Sequence, residues 1–212
     1  MKNLSLILLA ACAFLLGGCL TLEETITFNA DKSASVQYSF RYLEQNEPMV
    51  IASIEEAQRR TSEEDVWNFL DEKAVKKYFN NKERGIEVQR YRQTVDKEGM
   101  KTIQIIILAK KAEAINSGLF GPIVYNEAEK TFTVELPEEM KQPISPKLQL
   151  LCPDLKGIFT VKFQDEIQKT SGKYVEKKEG KKDGEKPEVD KKAVQWVFDT
   201  INPFPKEITA SW

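Results

Sequence analysis

Histidine occurs nowhere in this chain of 212 residues. Its absence removes the commonest general base, the commonest metal ligand and the side chain that titrates near neutral pH. Ser-His-Asp catalysis, Cys-His catalysis and histidine-based zinc sites are excluded together. Cysteine is almost as scarce, with Cys12, Cys19 and Cys152 alone. An excess of one charge is missing too. Lys and Arg total 31 against 33 Asp and Glu, a net charge of −2. Such balance gives no electrostatic case for nucleic-acid binding. No Gly-rich phosphate loop is present, because Ser171-Gly172-Lys173 lacks the spacing that would precede it. The acids of Lys181–Asp190 do not follow calcium-loop spacing. No metal site and no cofactor is expected. Acidic pairs such as Glu23-Glu24, Glu55-Glu56 and Glu63-Glu64-Asp65 fall on expected polar faces or caps. They give no catalytic carboxylate pair, so an enzyme is not expected.

What the chain does have begins at its amino terminus. Lys2 precedes an apolar run of about a dozen residues, the length of a secretory signal core. A spanning helix would need roughly 20. Gly17 and Gly18 end the run, Cys19 follows, and the chain turns polar at Thr21-Leu22-Glu23-Glu24. The step Leu16-Gly17-Gly18-Cys19 resembles the lipobox of bacterial lipoproteins, an aliphatic residue and two small ones before a cysteine. The resemblance implies that the Cys19 thiol receives a diacylglyceryl group, that cleavage falls between Gly18 and Cys19, and that the new amino terminus is acylated. Two or more acyl chains anchor stably, whereas one holds marginally, at about 0.8 kcal/mol per buried methylene. Leu20 stands where an Asp would resemble an inner-membrane retention signal. The expected location is therefore the cell envelope outside the cytoplasm, at the outer membrane where the organism has one.

Cys12 leaves with residues 1–18, and Cys152 stands alone in Leu150-Leu151-Cys152-Pro153. No intramolecular disulfide is expected, and Cys152 reads as a small buried apolar residue. Residues 19–24 form a tether of at most about 17 Å beyond the anchor. A single domain, 25–212, follows.

Alternation of apolar and polar residues marks the strands. Ile26 and Phe28 lead through Asn29–Ser33 to Val36, Tyr38, Phe40 and Tyr42. A second hairpin turns at Asp96–Gly99, and its return, Ile103 to Leu108, is almost continuously apolar, as in a strand covered on both faces. A short helix ends near Gly118, and a third hairpin carries Phe132, Val134 and Leu136 in phase. Phe159, Val161 and Phe163 match Val194, Trp196 and Phe198 across a lysine-rich, acidic excursion at about 170–192, read as solvated and mobile. A last strand ends at Trp212. The clearest predicted helix covers 62–79, with Thr61 and Glu64 as a capping box and Val66, Leu70, Ala74 and Tyr78 as an apolar stripe.

The two ends of the chain resemble the LppM-type envelope lipoprotein domain. The carrying stretches are Glu24–Phe40 after the lipobox, Phe159–Lys173, Val194–Thr200 and Pro205–Trp212. Lys32 stands where that pattern has Gly, and Gln164-Asp165 where it has Pro-Gly. The resemblance implies an exported, anchored α+β domain that handles lipids or other envelope components, without catalytic residues.

The expected fold is α+β: a curved, mostly antiparallel sheet packed on one main amphipathic helix. The expected function is a lipid-anchored, non-catalytic binding module for a lipid or other apolar envelope ligand. Phe40, Trp67, Phe69, Val134 and Trp196 are the candidate wall of its cavity. The alternative is a protein-interaction or scaffold lipoprotein with a solid core. The expected partners are the membrane, through acylated Cys19, and a lipid or envelope protein, with no nucleic acid.

Overall fold

The computed structural model describes residues 20–60, 68–136, 155–177, 188–199, 205 and 207–212. Residues 1–18, expected as a signal segment, and Cys19, Thr61, Glu64, Trp67 and Cys152 lie outside the described residues. Among the described residues the fold is mostly β, with two sheets and two short α-helices, which overturns the expected α+β class of a sheet packed on one main amphipathic helix.

The larger sheet has seven strands. They are β1 (Thr21–Phe28), β2 (Ala34–Leu43), β3 (Ile86–Val95), β4 (Met100–Ala109), β8 (Lys156–Lys162), β10 (Lys173–Glu176) and β11 (Val189–Asp199). Their order is β10-β11-β8-β1-β2-β4-β3, so β1 is the central strand. β1 and β8 run parallel, and the other pairs run antiparallel. The smaller sheet has the order β5-β6-β7-β12-β9. Its strands are β5 (Ser117–Gly118), β6 (Gly121–Asn126), β7 (Thr131–Val134), β9 (Lys169–Thr170) and β12 (Ile208–Ser211).

The period-two pattern works as expected on β1, where Leu22, Glu24, Ile26 and Phe28 are buried and the alternate residues half-buried. The registers carry this inner face across the sheet. Trp196 on β11 lies opposite Phe159 on β8, Phe159 opposite Glu24, Glu24 opposite Tyr38 on β2, and Tyr38 opposite Ile105 on β4. The predicted first turn is present, and Lys32 adopts φ 65° there. This is the left-handed region, which explains why Gly would suit the position.

The single helix expected over 62–79 does not form. Its described part is a turn at Asn68–Asp71 and an eight-residue helix, α2, Glu72–Phe79. The side chains interrupt it locally. The Leu70 amide donates to Asn68 Oδ1 at 2.9 Å, and the Lys73 amide donates to Asp71 Oδ1 at 2.8 Å, making Asp71 the N-cap. The longer helix, α1, Glu47–Arg60, lies where no helix was expected. Within the stretch expected as an excursion, Lys173–Glu176 is β10 and pairs with β11, and residues 178–187 lie outside the described residues.

Two coverings share the inner face. Over β1, β8 and β11 lies the smaller sheet, where Phe132 meets Phe28 and Phe159 at 6.0 and 6.1 Å. Phe120, between β5 and β6, meets Phe159 and Phe198 edge-on at 5.5 and 4.8 Å. Over β2, β4 and β3 lie the helical segments. Phe69 stacks on Phe40 at 4.2 Å, Phe79 meets Tyr38 at 5.7 Å, and the Tyr91 hydroxyl donates to the Phe69 carbonyl.

Candidate functional site

Two places are candidates, the start of the central strand and the middle of its inner face. At the start, Leu20 is 0% exposed, and its carbonyl accepts from the Lys156 amide at 2.9 Å. Thr21 already pairs with Arg41 and Lys156, so residues 21–24, expected as tether, belong to β1. The residue following Cys19 is thus fixed in the fold.

In the middle of the inner face sits Glu24, 1% exposed. The sequence assigned it to a polar tether, yet it shares the phase of Leu22, Ile26 and Phe28. Extending the period of two backward by one step would have found it. Its Oε2 accepts from the Leu119 amide at 2.8 Å, and the Tyr38 hydroxyl hydrogen-bonds the same carboxyl. Oε1 has no hydrogen-bond partner among the described residues. Gly118 lies directly over the carboxyl, and a Cβ there would collide with it. Burial pushes the Glu24 pKa up to about 8, against the opposing pull of the Leu119 amide and the Tyr38 hydroxyl. The group is therefore mostly a neutral acid at pH 7, able to donate as well as accept. Burial, and next the Glu24 charge, push Tyr38 well above the usual tyrosine range.

A buried polar atom without a partner costs roughly 1–3 kcal/mol. Such a group at the centre of an otherwise apolar face is a departure from the best core, of the kind that marks functional positions. Glu24 Oε1 retains the capacity for one further hydrogen bond. Among the described residues no group of His, Cys, Asp or Glu could hold a metal ion.

Of the candidate wall residues, Phe40 and Trp196 are on the larger sheet, Phe69 is in the helical covering and Val134 in the smaller sheet, while Trp67 lies outside the described residues. Phe40 and Phe69 stack on each other beneath the helical segments. Trp196 stacks on Phe159 at 5.6 Å, and its indole N–H donates to the Ser171 hydroxyl at 3.1 Å. Val134 is buried on β7 in the smaller sheet. Phe40 and Trp196 lie on one face of the larger sheet but on strands separated by β1 and β8. Glu24 and Tyr38 lie in the same cross-strand row as Trp196, two residues along the strands from the row of Phe40. No helix among the described residues is long and apolar enough to cross a membrane.

No family model matches the chain, and no curated protein matches it. Among solved structures it is similar to the NMR structure of the folded domain of the Mycobacterium tuberculosis LppM protein. That match has 13% identity and a TM-score of 0.46, and it covers 92% of this chain and 90% of that one.

Proposed function

We propose that this chain is a lipid-anchored cell-envelope lipoprotein whose β domain is a non-catalytic binding module held against the bilayer. The observation that supports it most is the join at Cys19 and Leu20. A lipobox cysteine stands one residue before a buried, hydrogen-bonded residue that leads into the central strand. One residue spans at most about 3.6 Å, so acyl chains on Cys19 would hold this end of the sheet at the membrane surface. Leu20 in the position after the cysteine favours the outer membrane where there is one.

The ligand class we favour is a lipid or lipid-like molecule with one hydrogen-bonding group. Glu24 and Tyr38 would meet that group, and the apolar inner face its hydrocarbon. The competing reading is a scaffold with a solid core, and the mutual stacking of Phe40 with Phe69 and of Trp196 with Phe159 favours it. Native mass spectrometry of residues 20–212 separates the two. A copurifying lipid, released on denaturation and weakened by Glu24→Gln, supports the ligand reading. A clean apo mass after incubation with envelope lipids refutes it in favour of the scaffold.

A further inference from the structure

We infer that the end of the larger sheet where β1 begins is a bilayer contact surface, in which Met49, Ile51 and Val95 enter the phospholipid interface. The inference rests on the lipid-anchor reading of Cys19 and adds a second, apolar contact to it.

The geometry follows from the registers. Thr21 pairs with Arg41, Arg41 with Thr102, and Thr102 with Thr94. Stepping one residue outward reaches Leu20, Tyr42, Lys101 and Val95, the last of which pair directly. Val95 therefore stands in the same row of the sheet as the residue that follows Cys19, one step inside the last pair, Leu43 with Met100. The Lys101 ammonium pairs with Glu47 Oε2 at 2.5 Å and ties the first turn of α1 to that same row. Met49 and Ile51 lie in the next few residues of that helix. Val50 and Ile54, on the other side of α1, are buried in the core.

Three of the six exposed large apolar side chains among the described residues lie at this end, Met49 at 37%, Ile51 at 41% and Val95 at 44%, while Val124 is on β6 and Val189 and Val197 are on β11. Single exposed apolar residues are ordinary. Three around one sheet end, beside a cysteine marked for acylation, share one available solvent, the bilayer. Charge does not supply the attraction. Glu44, Asp96 and Glu98 are exposed there alongside Arg41, Lys97 and Lys156, leaving no positive excess for anionic headgroups. The contact is apolar, so it needs no anionic lipid and survives high salt.

The test uses the lipidated protein in phosphatidylcholine vesicles doped with spin-labelled phosphatidylcholine. In a Cys152→Ala background, Met49→Cys, Ile51→Cys, Val95→Cys and Val124→Cys each carry a polarity-sensitive fluorophore. Val124, 49% exposed, is the control. Its neighbour Tyr125 stacks on Phe28, at the opposite end of β1. Quenching at 49, 51 and 95 should exceed that at 124 by about twofold or more, unchanged at high salt. Equal quenching at all four positions in a protein that carries its acyl mass and floats with vesicles overturns the contact while leaving the anchor intact. Quenching abolished by salt overturns its apolar character. A protein without acyl mass overturns both readings together.

Discussion

The two halves of the inner face are covered by different means, and the difference explains what holds the fold. Over β1, β8 and β11 the cover is a sheet. Its rings, Phe120, Phe132 and Trp212, meet Phe28, Phe159, Phe163 and Phe198 in a continuous aromatic layer. Over β2, β4 and β3 the cover is a turn and two short helices, seated through Phe69, Phe79 and a hydrogen bond from Tyr91. The first covering is woven from strands distant in sequence. The second hangs on a few side chains of local segments. The sheet-covered half should therefore fail globally when cut, and the helix-covered half locally.

Phe159→Ala breaks the first half at its centre, since its ring meets Phe120, Phe132 and Trp196. It should cost about 3–5 kcal/mol of global stability in denaturant melts. Phe69→Ala should cost about 3 kcal/mol at the low end of that range. Its signature in hydrogen exchange should be loss of protection over residues 68–79, with β1 and β8 still protected. Loss spread evenly over both sheets would show that the halves are one cooperative unit.

Glu24 lies between the coverings and sharpens the comparison through pH. Folding raises its pKa from an ordinary 4.5 to about 8, so the folded chain binds more protons between those values. Its contribution is full below pH 4.5 and is lost as pH rises toward 8. The slope is at most about 1.4 kcal/mol per pH unit. Glu24→Gln should flatten that slope and leave the variant more stable than the parent at pH 8 and above. An unchanged pH profile in chemical melts would remove Glu24 as the titrating group. The smallest effect belongs to the turn at Lys32. Lys32→Gly relieves a left-handed backbone and should stabilise by up to about 1 kcal/mol, read as a small rise in Tm.

The hairpins were legible in the sequence because alternation survives wherever one face is buried. Ile26 and Phe28 with Val36, Tyr38 and Phe40, and Phe159 and Val161 with Val194 and Trp196, pair as their phases imply. The helix over 62–79 was misread because the apolar spacing ignored Asn68 and Asp71, whose carbonyl and carboxylate capture backbone amides. Helix α1 went unseen although Pro48 in its first turn is a start signal, because Val50 and Ile54 make too thin a stripe. The third hairpin, β6 with β7, and the last strand, β12, were legible, but their assembly into a second sheet was not, because β5 and β9 are two residues long and β12 finds β7 and β9 far back along the chain. Of the site, Phe40, Phe69 and Trp196 are buried, but the buried acid on the same inner face, Glu24, was missed. A carboxylate in phase with Leu22 and Ile26 was read as polar because of its chemistry, against its position.

Every part of the functional account depends on what is attached to Cys19. The most direct measurement is the mass of the mature amino-terminal peptide from membrane-extracted protein, compared with Cys19→Ala. The account predicts a peptide beginning at Cys19 that carries diacylglyceryl and acyl mass, and an uncut, unlipidated precursor for the variant. A mature protein that begins elsewhere without lipid, or a Cys19→Ala protein that is still processed and membrane-bound, would contradict it.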